Sequence, residues 1–395
     1  MYPPGAGAVL VRYGEIGVKS RTVQRRMEER LQENIGTALD RKGIEAAVER
    51  EHTRLWVRTS PEWIDAATDV VTNSFGVVSA SPAVRVDPTL DAMTRALAES
   101  AAEHYDGGTF AVDARRAAQQ GDHPFSSRDI EEQGGSAVWE QATADGVEPA
   151  VDLDDPDLTF YVECRPEDAY VFLEKRDGPG GLPLGTQEPL VALVSGGIDS
   201  PVAAWKVMKR GCPIYPLYID LGQYGGVDNR MRAVETVDAL SEFVPDGDLG
   251  LRVVPGGEGV ERIAETTETC RMLVIRRYMV RIAERVAESL GAVGIATGES
   301  IGQKSSQTSA NLRATGEATS LPVHRPLATT DKTTITERAH AIETFEESTI
   351  DTGCHRLAPE NPATAPPLST VRAAEPAEIA ELAAAAAAEV ERIDP

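Results

Sequence analysis

The apolar run Val191-Ala192-Leu193-Val194 leads directly into Ser195-Gly196-Gly197-Ile198-Asp199-Ser200-Pro201. Glycines at 196 and 197 let the backbone turn sharply and come close to a ligand, while Ser200 and Pro201 suit the N-cap and first turn of a helix. A strand, a small-residue loop and a helix start in that order gather backbone N–H groups at a helix N-terminus, which is an anion site. Neither Gly-x-x-x-x-Gly-Lys-Ser/Thr nor Gly-x-Gly-x-x-Gly stands at this strand, so γ-phosphoryl transfer and dinucleotide binding are not supported.

The elements that must position this loop follow from periodicity. Leu190–Val194, Pro213–Ile219, Leu251–Val254 and Ala292–Ala296 read as strands, with helices starting near Ser200 and Asn229 and a long helical region after Val254. Strands alternating with helices imply a parallel sheet covered on both faces, so the C-terminal half reads as a doubly wound α/β domain. The N-terminal half is α+β. Val9–Arg12, a helix over Arg21–Leu39 and Leu55–Val57 form a first unit, residues 1–59. Residues 60–174 form a second, with helices over Thr89–His104 and Ser127–Glu140, a strand at Thr109–Ala114 and a strand pair across Thr159–Glu174. The Gly- and Pro-rich segment 175–189 reads as a linker, 190–362 as the main domain, and 363–395 as a tail whose Ala-rich part forms a surface helix.

The chain of 395 residues carries a net charge of −24, which taken alone argues against a nucleic-acid partner. Lysine is scarce beside arginine and the acid is spread through every segment, the composition of a protein working in very high salt. At molar salt the Debye length is about 3 Å, so only arginines at contact range would still act on RNA. Cys164, Cys212, Cys270 and Cys354 form no Cys-x-x-Cys pair, which suggests neither a disulfide framework nor a zinc ribbon and fits a reducing cytoplasm. No stretch approaches the length of a membrane span.

The Ser-Gly-Gly-x-Asp-Ser loop resembles the pyrophosphate loop of ATP pyrophosphatases, which cleave ATP between the α- and β-phosphates and adenylate an oxygen of the substrate. That motif alone leaves GMP, NAD and argininosuccinate synthesis and tRNA thiolation open. Two further blocks narrow it. Val9-Leu10-Val11-Arg12-Tyr13-Gly14-Glu15-Ile16-Gly17-Val18-Lys19 resembles the start of tRNA 4-thiouridine synthetases. Thr297–Gln303, Ser306-Gln307-Thr308, Pro322–Leu327 and Asp331-Lys332 resemble that family's ATP-domain signature, in order and at similar spacing. The resemblance implies a ferredoxin-like first unit, a THUMP RNA-binding second unit and ATP-dependent thiolation of uridine 8 in tRNA. The rival readings are a relative thiolating another tRNA base or supplying sulfur to thiamine thiazole, and a non-catalytic THUMP RNA-binding protein.

Carried over position by position, the resemblance implies that Ser195, Gly196, Gly197 and Ser200 grip the pyrophosphate and that Asp199 holds Mg²⁺ with ATP. Leu193 and Val194 flank the adenine, Tyr218 and Ile219 line the pocket, and Arg276, Gly298 and Gln307 complete the nucleotide site. Lys332 is the point charge that stabilises the α-phosphate. Arg115, Arg116 and Arg128 are candidates for tRNA phosphates and an exposed Phe125 for stacking on an unpaired base.

Cys354, in Gly353-Cys354-His355-Arg356-Leu357, occupies the place of the family cysteine implicated in persulfide chemistry. Many bacterial relatives add a rhodanese domain, and the 41 residues after Cys354 are too few for one. Some archaeal relatives place a Cys-x-x-Cys where this chain has Met272 and Ile275, so an iron–sulfur cluster site is not evident. Cys270 is a candidate partner of Cys354. The sulfur donor is left open between free sulfide, a Cys354 persulfide and a separate persulfide-carrying protein, and the assembly allows a homodimer.

Overall fold

The computed structural model describes residues 1–51, 54–116, 123–225, 227–345 and 357–394. The chain divides into two compact units, residues 1–181 and 182–395.

The first unit is built on one mostly antiparallel sheet. Its strands are β1 (Ala8–Tyr13), β2 (Ala46–Glu51), β3 (Arg54–Thr59), β4 (Val77–Val86), β5 (Thr109–Arg116), β6 (Ala150–Val151), β7 (Leu158–Cys164), β8 (Ala169–Phe172) and β9 (Arg176–Asp177). They are ordered β2-β3-β1-β4-β8-β7-β5-β6, with β9 beside β4 and β5 parallel to both β6 and β7. The ten-residue β4 pairs with β1 along its first part and with β8 along its last, so a single strand joins two α+β modules. Four helices serve this sheet: α1 (Arg21–Arg41), α2 (Ile64–Thr72), α3 (Leu90–His104) and α4 (Ser127–Ala144). Here the expected boundary after residue 59 shifts. Helix α2 packs on β1, β3 and β4 through buried Ile64, Ala67 and Val71, so the chain beyond 59 still builds the first module. In the second module α3 and α4 bury Met93, Leu97, Ile130 and Val138 against Phe110, Val112, Phe160, Val162 and Val171. Helix α4 starts on a capping box in which the Ser126 side chain accepts from the Asp129 N–H and the Asp129 carboxylate accepts from the Ser126 N–H.

The second unit holds strands β10 (Leu190–Leu193), β11 (Ile214–Asp220), β12 (Leu251–Pro255), β13 (Ile295–Ala296), β14 (Val323–His324) and β15 (Glu391–Ile393), ordered β14-β13-β10-β11-β12-β15. All pairings are parallel except β12–β15. The chain winds outward from β10 through β11 to β12, then returns to the other side of β10 as β13. The order therefore reverses between β10 and β13, and ligands of open α/β sheets bind where it does, beyond the strands' carboxyl ends.

Its helices are α5 (Asp199–Met208), α6 (Val227–Ser241), α7 (Gly257–Thr266), α8 (Arg271–Leu290), α9 (Ser309–Gly316), α10 (Lys332–Ala341), α11 (Leu368–Ala373) and α12 (Ile379–Ala388). Helix α8 buries Leu273, Val274, Tyr278, Ile282, Val286 and Ala287, an apolar stripe at helical spacing, and ends at Gly291, whose φ of 69° closes the last turn.

Two expectations change here. The 175–189 linker is docked at both ends: β9 pairs with β4, and Leu182 and Leu184 are buried in the second unit, where the Leu182 N–H bonds to Lys209 O. The Ala-rich helix of the tail lies at the surface, with Glu381, Ala384, Ala385 and Ala388 exposed, but its other face is core. Ala383, Ala386 and Ala387 of α12 are buried and α12 packs along α8, while β15 extends the sheet. Alanine lets two helix axes approach closely, so a composition that reads as solvent-facing also builds core.

Candidate nucleotide site

Strand β10 is buried between β11 and β13 and delivers its carboxyl end to the reversal point. The N-cap of the helix after it stands two residues earlier than the sequence pattern suggests. Ile198 is the N-cap and makes no side-chain cap bond, so Ser200 lies inside the first turn of α5. Its hydroxyl turns back, accepting from the Ser195 N–H at 2.9 Å and lying 3.1 Å from Ser195 O. The loop is thus braced from within, and the first N–H groups of α5 face outward without a side-chain cap, the arrangement an anion needs.

The glycines act by absence of bulk rather than by left-handed backbone, since neither Gly196 nor Gly197 has positive φ. A Cβ at Gly196 would stand 3.3 Å from Arg232 side-chain atoms. Gly298, at the end of β13, is tighter: a Cβ there would fall 2.8 Å from the Ser200 nitrogen and 2.9 Å from the Asp199 carbonyl carbon, so any side chain would push the loop away.

The loop forms one wall of a cavity of about 300 Å³. Leu193, Val194, Ser195, Gly196, Gly197, Asp199 and Ser200 line it from the loop, Tyr218 and Ile219 from the end of β11, Arg276 from α8, and Gly298 and Gln307 from the segment after β13. These are all the nucleotide positions read from the sequence. An apolar side is added by Leu217, Met272, Ile275, Met279 and Leu357, which suits a flat heterocycle, and the polar loop suits its phosphates.

At the loop, Lys332 Nζ donates to Asp199 Oδ1 at 2.7 Å, and Gln303 Nε2 to Asp199 Oδ2 at 3.1 Å. Lys332 begins α10 and is half exposed. The sequence reading gave Asp199 the magnesium ion and Lys332 the α-phosphate; the fold makes them an ion pair. Asp199 fits magnesium. Mg²⁺ usually takes one or two carboxylates plus substrate phosphates, and among the described residues no cluster of three ligating side chains offers a closed cage.

The neighbouring arginines on α8 part company. Arg277 is 2% exposed and pairs with Glu375 and Glu317, a core ion pair. Arg276 lines the cavity, its Nη1 donating to Glu299 Oε1 at 2.6 Å. Glu299 Oε2 accepts from Arg325 Nε at 2.7 Å and from the Thr297 hydroxyl at 3.1 Å. Burial pushes the Glu299 carboxyl up, but the guanidiniums of Arg276 and Arg325 and the hydrogen bonds from Arg325 and Thr297 outweigh it and hold its pKa below the ordinary value. With its amide nitrogen 2.8 Å from Ser300 O, Gln307 accepts from Arg276 Nη2 at 3.2 Å. Sequence reasoning missed Glu299, Arg325 and Gln303. The two former stand in the quoted Thr297–Gln303 and Pro322–Leu327 blocks, but only the fold shows that both arginines converge on one carboxylate.

Cys354 lies outside the described residues. Leu357, three positions later in the sequence, lines the cavity and is buried, and the Ala363 N–H bonds to Thr269 O beside buried Cys270. In the first unit Arg115 and Arg116 end β5, with Arg115 exposed. Arg128 is tied to Glu132 at 2.8 Å. Phe125, expected to be exposed, is half-buried against the α3–α4 core with its ring stacked on His123 at 5.1 Å, so that core holds one side of the ring and His123 a face.

Residues 185–379 match the family described as Thiamine biosynthesis protein (ThiI), residues 8–81 the ThiI ferredoxin-like domain, and residues 88–174 the THUMP domain. A probable tRNA sulfurtransferase of Halobacterium salinarum is 55% identical over 376 residues, covering 95% of this chain and 94% of the relative. One of Methanosarcina acetivorans is 40% identical over 360 residues, covering 90% and 85%. Among solved structures, a 4-thiouridine synthetase–RNA complex with bound ATP superposes with a TM-score of 0.84 at 30% identity, covering 98% of this chain and all of that one.

Proposed function

Because the chain belongs to the ThiI family of tRNA sulfurtransferases, we propose that it activates a uridine of tRNA with ATP and replaces its O4 by sulfur, giving 4-thiouridine at position 8. One observation carries this reading: the braced loop, Arg276, Gly298 and Gln307 converge on a single cavity with Asp199 and Lys332 paired at its loop.

Uridine O4 attacks the α-phosphorus, the bond from that phosphorus to the bridging oxygen breaks, and pyrophosphate leaves with the electron pair. A sulfur nucleophile then attacks C4, the C4–O4 bond breaks, and AMP departs carrying O4. AMP is a far better leaving group than an amide oxygen, which accounts for the ATP. The outward N–H groups of α5 and the loop hold the departing pyrophosphate, and Lys332, released from Asp199, meets the charge that develops on the α-phosphate. A magnesium ion would supply charge neutralisation between phosphates, with Asp199 as its protein ligand.

The apolar wall built from Met272, Ile275 and Met279 holds the adenine of ATP, which leaves the polar loop to the phosphates. Burial of Leu357 in the cavity wall supports a place for Cys354, three residues upstream, in receiving or resolving sulfur. The donor is sulfide, or the terminal sulfur of a persulfide, in which case a second thiol attacks the inner sulfur, breaks the S–S bond and releases the 4-thiouridine, leaving a disulfide. A cytoplasmic location and a homodimeric assembly belong to the same reading; among the described residues no helix is long and apolar enough to cross a membrane.

The test is pyrophosphate release with unmodified tRNA, ATP, Mg²⁺ and sulfide at molar KCl, following the nucleoside product. Release that depends on tRNA and yields 4-thiouridine supports the reading; release driven by a small acid or nucleotide instead would return the chain to the other pyrophosphate-loop ligases. The description of the matching family favours a second role, sulfur supply to thiamine thiazole. Thiamine auxotrophy of a deletion strain, with restoration by the wild-type chain, would establish it.

A further inference from the structure

Among the described residues, the charged side chains that line the nucleotide cavity are Asp199, Arg276, Glu299 and Lys304. The first three are already paired. Asp199 accepts from Lys332 and Gln303, and Arg276 shares Glu299 with Arg325. Lys304 has no carboxylate partner among the described residues, and its ammonium makes no hydrogen bond there.

The backbone that carries Lys304 is pinned while its side chain is not. The Gln307 N–H donates to Lys304 O at 2.8 Å and the Gly302 N–H to Gln307 O at 3.0 Å, so the turn from Gly302 to Gln307 closes on itself. Gly302 enters the turn with a φ of 81°, a left-handed backbone that favours glycine. Asn311 Nδ2 donates to Ser305 O at 2.9 Å and ties the turn to α9. On the near side Gln303 reaches Asp199 Oδ2 at 3.1 Å, which holds the turn against the phosphate loop. Lys304 is exposed and lines the cavity, which places it where the cavity opens. An exposed lysine is ordinarily just solvated. This one stands at the mouth of an anion site, in a chain that carries few lysines and uses arginine for most of its surface cations.

We propose that Lys304 is a second cation of the nucleotide site, binding the terminal phosphates of ATP and the pyrophosphate formed from them, while Lys332 serves the α-phosphate. The proposal rests on the reading of the cavity as an ATP site and assigns the phosphate end of it. With adenine on the apolar wall and the loop beneath the phosphates, the terminal phosphates are the end left to the opening, where Lys304 stands. A compact ammonium on a flexible stem can meet crowded phosphate oxygens from several directions, which a planar guanidinium cannot. At molar salt the Debye length is about 3 Å, so a cation in contact with a phosphate oxygen keeps its attraction while more distant charges of the chain are screened.

The experiment measures the dissociation constants of ATP, inorganic pyrophosphate and AMP by calorimetry, on the full chain with Mg²⁺ at molar KCl. Lys304→Gln should weaken ATP and pyrophosphate by about tenfold, the worth of one charge-assisted hydrogen bond at a partly open site, and leave AMP unchanged. Lys304→Arg should restore part of the loss. The side chain is exposed and bonds to nothing among the described residues, so the variants should fold, which their melting temperatures check. Equal weakening of all three ligands would move Lys304 to the α-phosphate or the ribose and overturn the assignment. Constants unaltered in Lys304→Gln would make it a solvated surface cation and overturn it too. In both cases tRNA-dependent pyrophosphate release by wild type keeps the enzyme reading standing. Wild type that binds neither ATP nor pyrophosphate sinks the nucleotide site, and the role of Lys304 with it.

Discussion

Glu163 in the first unit and Glu299 in the second are both buried among arginines, yet the two cages are balanced differently. Glu299 is matched by Arg276 and Arg325, each within 2.7 Å, and its remaining capacity is met by Thr297. Glu163 is one carboxylate among Arg12, Arg54, Arg165 and, at longer range, Arg115 and Lys175. A closed cage fixes a side chain in one place; an open, surplus cage leaves positive potential to be met from outside.

The largest expected effect lies beside the closed cage. Lys332→Ala removes a half-exposed cation whose partner is Asp199, so folding should survive while tRNA-dependent pyrophosphate release falls by about a hundredfold to a thousandfold. RNA retention should not change, which separates the two units by function. A variant that keeps its rate would show that the Asp199–Lys332 pair is only structural.

Next comes Gly298→Ala. Its Cβ would sit 2.8 Å from the Ser200 nitrogen, closer than nonbonded atoms tolerate, so the loop must shift by several tenths of an ångström. A misplacement of that order should raise the KM for ATP and cost about a hundredfold in kcat/KM. Unchanged steady-state constants would mean the loop gives way freely and does not place the phosphates.

Glu299→Gln and Glu163→Gln test the comparison itself. The first keeps the shape of the carboxylate but leaves Arg276 and Arg325 without a counter-charge, and the freed Arg276 should lower kcat/KM for ATP by about tenfold to a hundredfold with RNA binding intact. The second removes the negative charge at the centre of the surplus cage. RNA binding should then hold or tighten while the melting temperature drops, because a buried counter-charge is lost, at about 3 kcal/mol. Equal effects of both substitutions on both readouts would erase the distinction between the cages.

How much of this was legible beforehand depends on the kind of signal. The nucleotide positions were legible because a phosphate loop must carry small residues at fixed spacing, and Gly196, Gly197 and Gly298 are read as letters. The parallel sheet was legible because its strands are short apolar runs between helices. Glu299 and Arg325 were not, since their meaning is a contact between the segments that follow β13 and β14, which no local spacing encodes. The buried face of the tail helix was hidden for a related reason: a run of alanines shows no apolar stripe, and only the packing of Ala383 and Ala386 on α8 shows which side is core. Phe125 was expected at the surface, but its exposure is set by His123 and the α3–α4 core around it.

The smallest effect is on acid stability, and it discriminates most finely. Burial raises the Glu163 carboxyl, while Arg54, Arg165 and Arg12 lower it by more, so its folded pKa lies below the ordinary 4.5. Glu299 is depressed in the same direction by Arg276 and Arg325. For a carboxyl depressed in the folded state, the unfolded chain binds protons first as pH falls; the stability it lends is complete above about 4.5 and is lost as pH drops through the folded value. Wild type should therefore melt at a constant temperature from pH 7 to about 5 and at progressively lower temperatures below that. Glu163→Gln should start from a lower plateau and fall less steeply in acid, since one linked carboxyl is gone. If its acid slope matches that of wild type, Glu163 is not held ionised by the arginines, and the open cage differs less from the closed one than the geometry implies.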